Sequence, residues 1–244
     1  MRLLLLLSLL LVSSLSAFAD VAADNAKLAD YSAFQKLLKS PKELTWIVTG
    51  DSITHGALHT KGARDYAEQF NERVRWELGR KNDVFINTGV SGEVTDGLLK
   101  AFDFRIARFK PDFVSINLGM NDCIKLTPEK FRSNLEELVK RVRTLGAIPV
   151  LQVPNTVRAG DTHVGKLPPF CAIVREVAAK ENVLLVDHKA DWEKHAGGPD
   201  KAKDSWLNDP IHPNGLGHAE MAKTMFRDLG IFDPKSAVCR MGEK

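Results

Sequence analysis

The chain has 244 residues, of which 44% are hydrophobic, and its 34 basic and 31 acidic residues give a net charge of +3 at pH 7. This length is enough for one well-cored α/β domain that needs no stabilising cross-links. Basic and acidic residues are interspersed, which excludes the concentrated positive charge typical of proteins that bind nucleic acid or membrane surfaces.

The first 19 residues have the pattern of a secretory signal peptide. Arg2 provides a positive start, Leu3–Val12 is an apolar run, and Ala17-Phe18-Ala19 fits a cleavage site of the A-x-A type. The apolar run is shorter than the roughly 20 residues of a membrane-spanning helix, so cleavage before Asp20 is favoured over an uncleaved anchor. We therefore expect a secreted or periplasmic protein whose mature chain has no stable membrane insertion.

The remaining sequence predicts a polar, helical N-terminal arm over residues 20–42, followed by one domain over residues 43–244. In this domain, apolar runs rich in Val, Ile and Phe alternate with segments of helical spacing, the last of them over residues 215–229. The predicted strands are Thr45–Thr49, Val84–Asn87, Phe113–Leu118, Ile148–Val153 and Val183–Val186. Such alternation indicates an α/β fold with a parallel five-stranded sheet in a three-layer α/β/α sandwich.

Active sites in such sheets lie beyond the carboxyl ends of the strands, so the residues after each strand are the first to inspect. The first strand is followed by Gly50-Asp51-Ser52. A tight turn here can present the Ser52 hydroxyl and its backbone N–H at the sheet edge. The alternative is an ordinary helix N-cap, for which Asp and Ser are preferred residues.

The second strand is followed by the sequence from Asn87 to Gly92, N-T-G-V-S-G. A glycine at position 92 lets a backbone N–H approach a ligand closely. A phosphate-binding loop is disfavoured because neither G-x-G-x-x-G nor G-K-[ST] is present. Ser91 is an alternative nucleophile, but G-V-S-G lacks one residue of the G-x-S-x-G pattern.

The third strand is followed by Gly119-Met120-Asn121-Asp122. The Asn121 amide is a neutral donor that can stabilise an oxyanion, although Gly and Asn are also common in plain turns.

Near the C-terminus, Asp209 precedes His212 in D-P-I-H-P. A histidine can act as general base, and a nearby carboxylate can hold its tautomer. The alternative is a metal site formed by Asp209, His212, His218 and Glu220. It is disfavoured because His218 and Glu220 lie two residues apart in a predicted helix, on different faces.

These motifs, G-D-S at 50–52, N-x-G-x-S-G at 87–92, G-x-N-D at 119–122 and D-x-x-H at 209–212, resemble those of the SGNH hydrolases, which include the GDSL esterases and lipases. The resemblance implies a flavodoxin-like sheet and no metal or organic cofactor. It makes Ser52 the nucleophile, His212 the base and Asp209 the residue that orients the base. It also implies an oxyanion hole formed by the N–H groups of Ser52 and Gly92 and the side chain of Asn121.

The resemblance implies an esterase that acts on a small-molecule or polysaccharide ester. A compact exported member is expected to remove short acyl groups, above all acetyl, from carbohydrate. The alternatives are a lysophospholipase or broad lipid esterase, a non-catalytic carbohydrate-binding protein and a metal-dependent hydrolase. The sequence does not specify an oligomeric state.

Other conspicuous residues are assigned less definite roles. The chain has three cysteines, Cys123, Cys171 and Cys239, which permit one disulfide and one free thiol in an oxidising compartment. The loop Pro154–Pro168, which contains His163, is a candidate lid or substrate wall. His55, His59 and Lys61 follow the nucleophile and are candidates for the rim of the pocket, although solvated loop positions are favoured. Trp206, just before Asp209, is a candidate sugar-stacking face, although tryptophans near an active site are often plain packing. His188 and His195 are interpreted as surface residues.

Overall fold

The computed structural model describes residues 20–56, 58–198 and 204–242. The predicted signal peptide, residues 1–19, lies outside the described residues. Across those three ranges, no helix combines the length and the apolar character that crossing a bilayer requires.

A parallel five-stranded sheet in the order β2-β1-β3-β4-β5 forms the centre of the structure. The strands are β1 (Thr45–Gly50), β2 (Val84–Asn87), β3 (Phe113–Asn117), β4 (Ile148–Val153) and β5 (Leu184–Asp187). This is the strand order of flavodoxin-like folds, so the predicted fold class is confirmed. The predicted strand ends differ from the observed ones by at most one residue.

Helices cover both faces of the sheet. They are α1 (Val21–Asn25), α2 (Ala29–Leu38), α3 (Ser52–His55), α4 (Tyr66–Glu72), α5 (Thr95–Lys100), α6 (Phe102–Arg105), α7 (Asp122–Lys125), α8 (Pro128–Thr144), α9 (Leu167–Glu181), α10 (His188–Ala196) and α11 (Gly215–Asp228). On one side α8 packs against α5 and α9, and on the other α11 packs against α1 and α4. Both faces of the sheet are therefore shielded from water, as a parallel sheet requires.

Local sequence explains where the longest helix begins and which side it buries. The Thr127 hydroxyl accepts a hydrogen bond from the backbone N–H of Lys130, and Pro128 occupies the first helical position of α8. Phe131, Leu135, Leu138 and Val142 are all fully buried at helical spacing. Elsewhere a helical pattern is interrupted: α4 continues as a π-helical turn over Arg73–Glu77, and α5 and α6 are separate.

The predicted N-terminal arm contains α1 and α2 and packs against the sheet. Phe34 is fully buried and lies 6.2 Å from Trp46 and 5.6 Å from Phe113 between ring centroids. The Asn25 side chain donates hydrogen bonds to the carbonyl oxygens of Leu185 (2.7 Å) and Asp228 (2.8 Å). The arm therefore contributes side chains to the same core as the strands.

The prediction that His188 is a surface residue is wrong, because the structure buries it completely. α10 begins directly after β5, so its first side chain is directed into the core rather than into a loop. His188 Nε2 lies 2.7 Å from the Gln152 side-chain oxygen, and Gln152 donates to the Ser115 hydroxyl at 2.7 Å. The contact satisfies Nε2 of the buried ring, whereas His188 Nδ1 is buried without a hydrogen-bond partner.

All three cysteines are buried free thiols, so no disulfide joins any pair of Cys123, Cys171 and Cys239. Burial raises the pKa of Cys123 and of Cys171 to about 12, which keeps these two thiols protonated and unreactive.

The burial of His188 predicts a pH-dependent effect of replacing it. Burial lowers its pKa from 6.5 to about 3, so between these values the unfolded chain binds a proton that the folded chain does not. The stability linked to this histidine therefore falls as pH falls below 6.5. His188→Gln should destabilise the protein less at pH 5 than at pH 7.5, by about 2 kcal/mol, measured by urea unfolding.

His195→Gln is the matched control, because it removes a histidine from an exposed position. An equal cost of His188→Gln at both pH values would show that the buried imidazole is not the source of the linkage.

Candidate active site

Ser52 lies at the carboxyl end of β1, where it is the first residue of α3. The Asp51 carboxylate is the N-cap and accepts a hydrogen bond from the Ile53 N–H at 3.0 Å. Gly50 is required by close packing, since a Cβ there would lie 2.3 Å from the Asn117 carbonyl oxygen. Ser52 is thereby placed in a helix turn whose N–H groups have no intrahelical acceptor.

A rigid loop before α11 carries Asp209 and His212. Asp209 Oδ1 accepts hydrogen bonds from the backbone N–H groups of Ile211 (2.9 Å) and His212 (2.8 Å). The loop Pro154–Pro168 braces the segment from outside: the Arg158 N–H donates to the Pro210 carbonyl at 2.8 Å. These bonds fix the direction in which the His212 ring points.

The structure brings Ser52, His212 and Asp209 into one hydrogen-bonded chain. Ser52 Oγ lies 2.9 Å from His212 Nε2, and His212 Nδ1 lies 2.8 Å from Asp209 Oδ2. With a carboxylate as acceptor, Nδ1 carries the ring proton and Nε2 is free to accept the serine proton. The arrangement can therefore convert a hydroxyl into a nucleophile.

The ionisation states suit this proton transfer. Burial lowers the pKa of His212 and outweighs the opposing effect of Asp209, so the ring is held neutral to lower pH than an exposed histidine. Burial alone would raise the pKa of Asp209, but the N–H groups of Ile211 and His212 and the His212 ring outweigh it and lower that pKa. Asp209 is therefore a carboxylate wherever His212 is a neutral base.

The two other predicted oxyanion groups lie on the loops that follow β2 and β3. Gly92 has φ +80°, and its carbonyl oxygen accepts a hydrogen bond from Lys125 Nζ at 2.8 Å, which ties the two loops together. Asn121 is the N-cap of α7 and is half-buried, with its Nδ2 atom 3.4 Å from Asp51 Oδ2. The Asp51 carboxyl group therefore lies where it can orient the amide.

A buried carboxyl group next to Asn121 connects the same loops. Asp122 is fully buried and accepts hydrogen bonds from the Thr95 N–H (2.8 Å), the Thr95 hydroxyl (2.7 Å) and the Gly119 N–H (3.1 Å). From the sequence, Asp51 is considered only within a helix N-cap, and Asp122 is assigned no role. Asp51 and Asp122 adjoin Ser52 and Asn121 in the sequence, which is the one indication that they belong to the site. Their burial depends on tertiary packing, which the sequence does not show.

His59 was expected to be a solvated loop residue, but its ring stacks on His212. The two ring centroids are 3.4 Å apart and the planes differ by 4°. His59 Nδ1 also lies 3.4 Å from Asp209 Oδ2. The expectation is therefore wrong, and His59 belongs to the site.

The alternative nucleophile and the candidate stacking residue have other contacts. Ser91 Oγ lies 3.1 Å from the His55 ring, and both residues are exposed. The Trp206 ring lies edge-on to Trp192 at 5.2 Å, so at least part of its surface is used in packing.

The four proposed metal ligands do not converge. Asp209 and His212 group with His59, whereas Glu220 groups with Asp191 and His195. In the first group a metal would have to displace the hydrogen bond between His212 and Asp209. In the second, the Arg227 guanidinium already contacts Asp191 at 3.0 Å and Glu220 at 2.7 Å, so a fixed positive charge opposes a cation.

Comparison with known proteins gives three relatives of similar size. An acetylxylan esterase of Geobacillus stearothermophilus is 24% identical over 203 residues, which cover 75% of this chain and 92% of that protein. The structure of an α/β hydrolase enzyme, LAE5, from the metagenome of Lake Arreo has a TM-score of 0.68 at 22% identity and covers 78% of this chain and 96% of that one. The structure of an acetylxylan esterase from G. stearothermophilus, Axe2, has a TM-score of 0.66 at 20% identity, with coverages of 78% and 95%.

A family model extends these similarities to the motifs of the site. It matches residues 48–220, which include the Gly50-Asp51-Ser52 turn, the loops after β2 and β3, and the Asp209–His212 segment. The chain therefore belongs to the GDSL-like Lipase/Acylhydrolase family, within the SGNH superfamily, and is a carboxylic ester hydrolase.

Proposed function

We propose that this protein is an exported serine esterase that removes short acyl groups, most of all acetyl, from acylated carbohydrate. Ser52 is the nucleophile, His212 the base and Asp209 the residue that orients the base. The observation that carries this proposal is the chain from Ser52 Oγ to His212 Nε2 (2.9 Å) and from His212 Nδ1 to Asp209 Oδ2 (2.8 Å).

Acylation begins when Ser52 Oγ attacks the ester carbonyl carbon and its proton moves to His212 Nε2. A serine alkoxide is too basic to exist free at neutral pH, so bond formation and proton transfer must be coupled. The tetrahedral intermediate then collapses: the bond to the alcohol oxygen breaks, and the alcohol takes the proton from His212. The product is an acyl-enzyme on Ser52 with His212 neutral again.

Deacylation repeats these steps with water. His212 Nε2 accepts a proton from water as the water oxygen bonds to the acyl carbon, and the proton passes to Ser52 Oγ as the acid leaves. In both halves negative charge develops on the carbonyl oxygen. The N–H groups of Ser52 and Gly92 and the Asn121 amide are the proposed donors to it, and one such donor contributes about 10²–10³ in kcat.

The carbohydrate assignment rests on similarity. The relative that matches 75% of this chain is named an acetylxylan esterase, and we extend its acetyl-carbohydrate class to this protein. Export is proposed from the signal-peptide pattern of residues 1–19, with cleavage between Ala19 and Asp20.

A lipid esterase is the second candidate, and one observation favours it. Several large apolar side chains are exposed on segments that carry residues of the site. They are Leu58 (83% exposed), Val90 (45%), Ile124 (41%) and Leu216 (47%). Exposed apolar side chains of this kind suit contact with an acyl chain or a lipid surface.

A series of p-nitrophenyl esters from acetate to decanoate separates the two candidates. We expect kcat/KM to be highest for acetate and Ser52→Ala to lower it by at least about 10⁴-fold, because no other group replaces the nucleophile. A maximum at octanoate or longer would favour the lipid esterase.

The mechanism itself fails if Ser52→Ala retains activity. Adding a chelator to the wild-type assay tests the metal-dependent alternative, which predicts loss of activity. Tight binding of acetylated xylan without turnover would favour a non-catalytic binding protein.

The lowered pKa of His212 predicts the acid limb of the pH profile. The base must be neutral, and its pKa lies below the 6.5 of an exposed histidine. The kcat/KM of the free enzyme should therefore stay high as pH decreases to 6.5 and fall only below that value. The kcat/KM for p-nitrophenyl acetate, measured in stopped assays from pH 4 to 9, gives this profile. An acid limb centred above pH 7, or a flat profile down to pH 4, would contradict the role of His212.

Substitutions at Asn121 test the oxyanion assignment. Asn121→Asp should lower kcat more than Asn121→Ala, because a carboxylate would face both the developing oxyanion and the Asp51 carboxyl group 3.4 Å from the amide. The alanine variant should lose about 10²–10³-fold in kcat. If the aspartate variant is the faster of the two, Asn121 does not donate to the oxyanion.

A further inference from the structure

His59 combines two contacts to the catalytic base and its partner. Its ring lies face to face with His212 at 3.4 Å between centroids, and its Nδ1 atom approaches Asp209 Oδ2 at 3.4 Å. Asp209 Oδ2 is also the atom that accepts the hydrogen bond from His212 Nδ1 at 2.8 Å. Two parallel imidazoles therefore approach the same carboxylate oxygen, and His212 is the one hydrogen-bonded both to it and to Ser52 Oγ.

The fold places the His59 ring close to the loop that carries His212. His59 lies in a short 3₁₀ turn, Leu58–Thr60, whose last residue is buried and whose Thr60 N–H bonds the Gly56 carbonyl at 3.3 Å. Ala63, three residues after this turn, packs on the start of α11, where a Cβ on Gly215 would lie 2.7 Å from the Ala63 Cβ. The absence of a side chain at position 215 therefore lets the chain just after the His59 turn pack close to the His212 loop.

The geometry points to His59 as a positioning residue of the esterase: its flat ring holds the plane of His212 toward Ser52 and keeps that base in its neutral form. This inference rests on the proposed roles of Ser52 and His212. His59 acts through His212 and takes no part in bond making.

Two physical effects produce this role. Hydrogen bonds at Nδ1 and Nε2 fix where the ring nitrogens of His212 lie, and a second ring stacked within 4° of its plane limits the remaining tilt of that plane. The pKa of His212 is lowered mainly by burial, and the positive charge that the His59 imidazole can carry acts in the same direction, because two like charges on stacked rings repel each other.

Other titratable groups face these rings and set the background for any pH effect. Asp209 on the same loop stabilises the protonated form of His212, whereas His163, whose ring pairs with Asp161 on the loop Pro154–Pro168, acts against it. His218 on α11 is also buried. Its pKa is lowered mainly by burial and also by the His212 and His59 rings. These groups remain in place when His59 alone is replaced.

The test compares His59→Phe with His59→Ala. Phenylalanine keeps a flat face but has no charge, so kcat for p-nitrophenyl acetate at pH 8 should stay within about twofold of wild type. Alanine removes the face, and kcat should fall about tenfold with KM unchanged, because the base is then misaimed. In both variants the acid limb of kcat/KM should move to higher pH, because the neighbour that lowers the pKa of His212 is gone.

His195→Phe is the matched control at an exposed histidine of α10, and its profile should coincide with that of the wild type. The inference is overturned if His59→Ala keeps wild-type kcat, if His59→Phe loses as much as His59→Ala, or if neither variant moves the acid limb. Failure of the proposed function looks different, because it requires activity to survive in Ser52→Ala. Thermal melting of both His59 variants shows whether a loss of activity comes from a displaced His212 ring or from partial unfolding.

Discussion

The Asp209 carboxylate is the group on which the geometry of the site depends. It accepts two backbone N–H bonds from its own loop, holds the His212 ring at 2.8 Å and is approached by His59 at 3.4 Å. Partial burial alone would raise the pKa of Asp209, but the two backbone bonds and the His212 ring outweigh it, and that pKa lies below its usual value. A charge that is stabilised before the reaction begins needs no reorganisation when His212 becomes positive.

A second set of acidic side chains holds the loops of the proposed oxyanion hole, and here the effect of burial on the pKa dominates. Burial raises the pKa of Asp51 to about 7 and also raises that of Asp122, even though both accept backbone N–H bonds. A carboxyl group whose pKa is raised on folding lowers the stability of the folded chain at neutral pH, because the same group in the unfolded chain is fully ionised there. Asp51 and Asp122 lie between Ser52, Thr95 and Asn121. Their burial therefore lowers the stability of the folded chain while it holds together loops that are far apart in sequence.

The sequence predicts the sheet and the residues that the structure brings together at the site because both depend on local patterns. Apolar runs such as Ile148–Val153 match the observed strand, and G-D-S and D-x-x-H place Ser52 and His212 at strand or loop ends where a parallel sheet collects them. His59 and His188 could not be assigned in this way. Whether such a ring faces solvent, a core or another ring depends on which segment packs on it, as with Ala63 on Gly215.

The groups that carry the chemistry of this enzyme and those that set its specificity are held in the fold in different ways. The loop that carries the proposed base is held by backbone bonds, such as that from the Arg158 N–H to the Pro210 carbonyl oxygen, in which no exposed side chain takes part. The exposed side chains of Leu58, Val90 and Ile124 lie on the segments that carry the site, yet they are free to vary without breaking those bonds. Acyl-chain preference should therefore change with substitutions on these segments while the pH dependence set by His212 does not. Two relatives can then share the triad and still differ in substrate.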